Sequence, residues 1–176
     1  MKRFLFLITA TYALLLGLPQ KAHAQSLGWG FAPMPSMGGY GGYTYTYTHH
    51  APAPYDPRID PKLIRAAHIA ESRAGRHTTL HCWQYVKDAL LEAGVVNSRP
   101  VSAYACQAGA ELTNYGFVQL RVNDPYRAPL GAVLVYTDGG HAGHVEFRTE
   151  NGFASDYKSN WRCKYHLIGV YAKVTS

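Results

Sequence analysis

Ala132-Val133-Leu134-Val135-Tyr136-Thr137-Asp138-Gly139-Gly140-His141-Ala142-Gly143-His144-Val145-Glu146-Phe147-Arg148-Thr149 decides the fold. Apolar and β-branched residues fill 132–137, a glycine-rich turn follows, and 144–149 reads as a second strand. Three more runs read as strands: 117–122, 153–157 and 165–173. Asn123-Asp124-Pro125, Asp138-Gly139-Gly140 and Glu150-Asn151-Gly152 punctuate them as turns.

Upstream of residue 117 the apolar period is that of a helix. Asp60 is a good N-cap and Pro61 a good first helical residue. Leu63, Ala66, Ala67 and Ala70 follow at helical spacing, so one face is buried, and Gly75 stops the helix. Thr78 or Thr79 is expected to cap a second helix running to Ala93, with Gly94 beyond it and Cys82, Tyr85, Val86, Ala89 and Ala93 as its buried stripe. A third helix is expected over 102–113, with Gly116 past its end. Helices first and strands after predict an α+β domain over 60–176, its N-terminal helices packed on a five-stranded antiparallel sheet.

Residues 1–24 read as an export signal. Lys2 and Arg3 precede an apolar run, and Ala22-His23-Ala24 is a small-x-small cleavage site, which places the cut after Ala24. The expected location is secreted or periplasmic. The run is short for a spanning segment, and no stable membrane insertion is expected once it is removed. Residues 25–59 are rich in Gly, Pro and Tyr and read as a disordered arm or linker. Its aromatics would suit stacking on sugar rings, although such composition also makes a plain spacer. The His49-His50 pair is short and reads as solvated.

Three of the seventeen basic residues lie in the signal, so the mature chain has fourteen basic against eleven acidic residues, a net charge of +3. That balance suits an anionic polymer and is too weak to indicate nucleic acid, for which no Arg/Lys run exists. All three Cys are in the mature part. An oxidising compartment with an odd count implies one pair and one free thiol. With Cys82 in the candidate site, the expected pair is Cys106 with Cys163.

A nucleophile-and-base pattern runs through these elements. Cys82 lies at a helix start, where unpaired backbone N–H groups and the helix dipole favour an anion. A Cys on an apolar helical stripe is also an ordinary core residue, and its place at the start of the helix weighs against that. His144 follows Gly139-Gly140-His141-Ala142-Gly143, which leaves room for substrate beside a strand start, whereas His141 suits an exposed turn. Asp156 and Glu146 are rival orienters of His144. A three-residue loop of Glu150-Asn151-Gly152 pairs Glu146 with Asp156 and sets His144 diagonal to Asp156. A two-residue Asn151-Gly152 turn would put Asp156 on the opposite face from His144.

Cys82-Trp83-Gln84-Tyr85-Val86 followed by a helix and Gly94, and Pro129-Leu130-Gly131-Ala132-Val133-Leu134-Val135-Tyr136 followed by Gly143-His144-Val145-Glu146-Phe147, resemble the papain-like cell-wall hydrolases, the CHAP amidases and NlpC-type peptidases. The twelve-residue step from His144 to Asp156 is similar to the NlpC spacing of base and third polar residue. NlpC-type proteins favour Asp-Cys-Ser-Gly at the nucleophile, where this chain has His81-Cys82-Trp83-Gln84, and their third residue is often His. The resemblance implies a papain-like fold and hydrolysis of an amide or peptide bond in peptidoglycan, with the peptide stem as partner. It assigns Cys82 as nucleophile and His144 as base, and its spacing favours Asp156 as orienter over Glu146. The backbone N–H of Cys82 would stabilise the oxyanion. No cofactor is implied. A second reading is a non-catalytic cell-wall binding module on the same fold, which an intact Cys, His and Asp disfavour. A third is a metal site of His141, His144 and Asp156, a poor match to zinc spacings.

Overall fold

The computed structural model describes residues 50–140 and 142–175. The expected export signal, most of the Gly/Tyr-rich arm, His49 and His141 lie outside the described residues. Residues 50–59, part of that arm in the sequence reading, pack on the domain. The Ala53 N–H donates to the Glu150 carbonyl at 2.9 Å, and Leu130 N–H to the Pro54 carbonyl at 2.9 Å. The His50 ring stacks on Tyr126 at 3.8 Å, and Ile59 bridges Val174.

Helix α1 spans Pro61–Arg73. The Asp60 side chain accepts the Lys62 N–H at 2.9 Å, and Leu63, Ala66, Ala67 and Ala70 are buried, as the period requires. Helix α2 spans Cys82–Glu92, starting two or three residues later than the threonine caps imply. Thr78 and Thr79 give their hydroxyls to Asp156, Leu80 takes a positive φ of 65°, and His81, at φ −118° and ψ 26°, is the cap residue. The buried face of α2 is turned toward Trp83, Val86, Lys87, Ala89 and Leu90, leaving Cys82 and Tyr85 half-buried. Lys87 is buried because its ammonium donates to the Ser102 carbonyl at 2.5 Å and lies over the Trp83 ring. The expected third helix is a 3-10 turn, Ala105–Gln107, running into α3, Ala108–Asn114.

Among the described residues six strands form one antiparallel sheet in the order β1-β6-β2-β3-β4-β5: β1 Val118–Leu120, β2 Val133–Thr137, β3 His144–Arg148, β4 Phe153–Ala154, β5 Lys158–Ser159 and β6 His166–Ala172. The sixth strand arises where the sequence reading had one strand over 153–157. The run breaks at Ser155, whose N–H donates to the Tyr157 carbonyl, and Asp156 sits in the break. The helices cover one face, packing Leu63, Val86, Leu90 and Leu112 on Val133, Val135, Val145 and Phe147. On the other face Leu134, Tyr136, Phe153 and Val170 pack with Tyr126 and Leu167. β2 is thus buried on both sides, which is why it reads as an unbroken apolar run.

The β3–β4 connection differs from both loops weighed on sequence. Phe147 pairs with Ala154 and Arg148 with Phe153, leaving 149–152 as a four-residue loop closed by Thr149 N–H on the Gly152 carbonyl at 2.9 Å. Gly152 is not in the left-handed region that a three-residue loop needs. It is glycine because a Cβ there would overlap the Ser159 carbonyl. The Arg148 guanidinium fills the loop, donating to the carbonyls of Thr149 and Gly152 at 3.0 and 2.7 Å.

The expected Cys106–Cys163 bridge is not formed, and no disulfide joins any of the cysteines. Cys106 lies in the 3-10 turn on the helical side, its N–H on the Ala142 carbonyl at 3.2 Å. Cys163 packs with the cluster on the opposite face, its sulfur accepting the Tyr165 N–H at 3.5 Å.

Candidate active site

The first residue of α2 and the first residue of β3 meet at one end of the sheet. His144 pairs with Tyr136 across β2 and β3 and is 7% exposed. Gly143, with φ 67°, delivers the chain into β3, and a Cβ there would overlap the Tyr136 carbonyl. Cys82 and the His144 ring line the same cavity, and Cys82 favours the charged form of the ring. His144 Nε2 lies 3.2 Å from Glu146 Oε2. Glu146 is itself buried and takes a second bond on Oε1 from the Tyr136 hydroxyl at 2.8 Å.

Burial of the His144 ring disfavours its charge. The neighbouring Cys82 side chain and the hydrogen bond and charge of Glu146 outweigh that, and its pKa is pushed up to about 10. Burial, then the charge and hydrogen bond of Glu146, push the Tyr136 hydroxyl far above its ordinary range, so it remains a donor. Tyr157, whose ring is 5.7 Å from His144, is pushed up to about 12 by burial and by Glu146.

Asp156 is elsewhere. Its Oδ2 accepts from the Thr78 hydroxyl at 2.8 Å, the Thr79 N–H at 2.6 Å, the Thr79 hydroxyl at 3.1 Å and the His81 N–H at 3.3 Å. Oδ1 takes the Ser155 hydroxyl at 3.1 Å. Burial raises its pKa, but these donors prevail and hold it below the ordinary carboxylate value. The paired register of β3 and β4 ends at Ala154, and Asp156 lies past it, outside the strand. The structure therefore brings Cys82, His144 and Glu146 together and assigns Asp156 to the segment leading into α2. His144 and Asp156 do not converge as metal ligands, and among the described residues no cluster of His, Cys, Asp and Glu suits a metal ion.

A cavity of about 540 Å³ opens on the His144 side of Cys82, walled by Leu80, Tyr157, Trp161, Arg162 and Tyr165. A smaller one of about 300 Å³ lies on the other side, between Leu80, Gln84, Tyr104 and Gly143. The His81 side chain makes no cap bond to α2. The N–H of Cys82 therefore meets no side-chain acceptor from the cap and is placed to donate to an anion beside the sulfur. Sequence reasoning missed Tyr136, Tyr157 and Leu80. Tyr136 was legible in principle, because a strand paired with β3 must set some residue opposite His144.

The fold and this Cys-His-Glu arrangement define an α+β protein with a cysteine at a helix start beside a histidine at a strand start. No known protein family's sequence profile matches the chain, and no curated protein does. Two solved structures are similar in fold. One is a chain of the type VI native effector-immunity complex Tae3-Tai3 from Ralstonia pickettii, with 22% identity, covering 63% of this chain and 98% of that one, at a TM-score of 0.50. The other is from the selenomethionine form of that complex, with 24% identity, 61% and 99% coverage, and the same TM-score.

Proposed function

We propose that this chain is an exported cysteine hydrolase that cleaves an amide or peptide bond in the peptide stem of peptidoglycan. The observation that carries the reading is the His144 ring, held between the Cys82 thiol and the Glu146 carboxylate at the foot of an open cavity. Cys82 attacks the carbonyl carbon as thiolate, and the backbone N–H of Cys82 stabilises the oxyanion. The C–N bond breaks as His144 passes its proton to the leaving amine. Water then attacks the thioester, with His144 taking its proton, and the acid is released with the thiol restored. Glu146 holds the ring and stabilises the imidazolium, and Tyr136 holds Glu146. The mild positive charge of the mature chain and the signal at 1–24 support a cell-wall substrate met in the periplasm or outside the cell. The fold likeness supports the architecture on which this chemistry rests.

The mature protein, incubated with purified peptidoglycan, should release fragments whose masses show a new amine and a new carboxylate. Cys82→Ser should release none while keeping its circular dichroism spectrum. Binding to peptidoglycan with no release by the wild type would make the chain a wall-binding module instead.

A further inference from the structure

Leu80 is the one non-glycine residue with a positive φ, 65°, among the described residues. The left-handed region suits glycine and strains a residue with a γ-branched side chain. Nothing is gained there by burial, since the Leu80 side chain is 87% exposed. The backbone is nevertheless tied on both sides. The Leu80 N–H donates to Thr78 Oγ1 at 3.0 Å. The N–H groups of Thr79 and His81, the residues flanking Leu80, both donate to one oxygen of Asp156, which is 1% exposed. Strain of this kind persists where surrounding contacts over-determine it, and it clusters at functional sites.

Its position says what the strain achieves. Leu80 lines both cavities, the larger one on the His144 side and the smaller one on the Gln84 side, with Cys82 shared between them. An extended substrate crossing Cys82 must pass this side chain. Resting on the hydrolase reading above, we propose that Leu80 is the specificity-determining residue of the cleft. It is an apolar partition that packs on the alkyl side chain next to the scissile amide, and Asp156 is the positioning residue that holds it there. The anchored loop keeps the partition ordered before substrate arrives, so little freedom is lost on binding.

The test compares the reaction of Cys82 with maleimide and with N-butylmaleimide, which share the reacting group and differ by an alkyl chain. Modification is read on the Cys82 peptide by mass spectrometry. The wild type should favour the butyl reagent, and Leu80→Asn, which tolerates positive φ, should lose that preference by roughly tenfold, the worth of a methylene or two in an apolar site. Asp156→Asn should weaken the preference too, although Leu80 is intact. On peptidoglycan, Leu80→Asn should raise KM far more than it lowers kcat. An unchanged reagent preference in Leu80→Asn overturns the proposal. If the wild type turns over no peptidoglycan, the hydrolase reading fails, and the reagent preference still decides the role of Leu80.

Discussion

The proton on His144 answers to three neighbours at once. Burial opposes the charge, and the Cys82 thiol and the Glu146 carboxylate favour it strongly enough to place the pKa at about 10. An imidazolium stable to that pH keeps the proton needed by the leaving amine, and the alkaline limb of kcat/KM should fall as pH rises through about 10. Glu146→Gln removes one raising influence. It should move that alkaline limb to lower pH and cut kcat on the order of a hundredfold or more, as loss of an orienting carboxylate does elsewhere. A pH–rate profile of the two proteins reads both effects. The same shift bears on stability. The ordinary histidine value is 6.5 and the folded value is higher, so the charged ring stabilises the fold fully below 6.5 and ceases to do so as pH rises through about 10. Urea midpoints at the two ends of that window should converge for wild type and Glu146→Gln at the alkaline end. Tyr136→Phe takes the donor from Glu146 Oε1 inside the core. It should cost about 1–3 kcal/mol of stability by denaturant unfolding, the penalty for one unpaired buried acceptor.

At the scale of elements, the loop from Gly75 to His81 is held by a single side chain from another part of the chain. Asp156 gathers the Thr78, Thr79 and His81 donors that would otherwise seek water or cap α2. Asp156→Ala removes the buried acceptor these donors share and should cost about 1–3 kcal/mol. The carboxylate is held below its ordinary value of 3.8, so its stabilisation is present above that value and is lost as pH falls through the lower folded value. Thermal unfolding of the variant across the acid range should show a flatter dependence than wild type. Gly143→Ala tests the other side of the cleft. A Cβ at φ 67° would overlap the Tyr136 carbonyl and press on Cys106, so β3 must shift. The variant should be destabilised by about 1–3 kcal/mol and lose activity beyond what its unfolded fraction explains.

The whole molecule shows which features a sequence carries openly. The run 132–136 is apolar on both sides of the pleat, and it became the strand buried under both faces of the sheet. Asp60-Pro61 and the spacing of Leu63, Ala66, Ala67 and Ala70 specify α1 without help from distant residues. Both carboxylates near His144 were visible too. Which of them meets the ring depends on the length of one hairpin loop, and that length is set by the approach of the Ser159 backbone to Gly152 and by Arg148 filling the loop. Both contacts join residues close in sequence, but they are packing of a side chain and of a later backbone that the turn residues 150–152 do not encode by themselves. The start of α2 was misplaced for a different reason, because the threonine hydroxyls that suit a cap are drawn to Asp156, more than seventy residues away. The cysteine count suggested a bridge, but Cys106 and Cys163 sit on opposite sides of the sheet. A reductant should therefore leave the melting temperature of the mature protein unchanged, whereas a drop of several degrees would mean that a disulfide supports the fold.

The catalytic expectations rest on Cys82 forming a bond to the substrate carbonyl carbon. The most direct measurement is rapid acid quench of the mature protein mixed with a defined stem peptide, followed by proteolysis and mass spectrometry of each cysteine peptide. The account predicts a transient acyl adduct on the Cys82 peptide, present before product accumulates and absent in Cys82→Ser. Product formation with no adduct on Cys82, or with the adduct on Cys163, would contradict it.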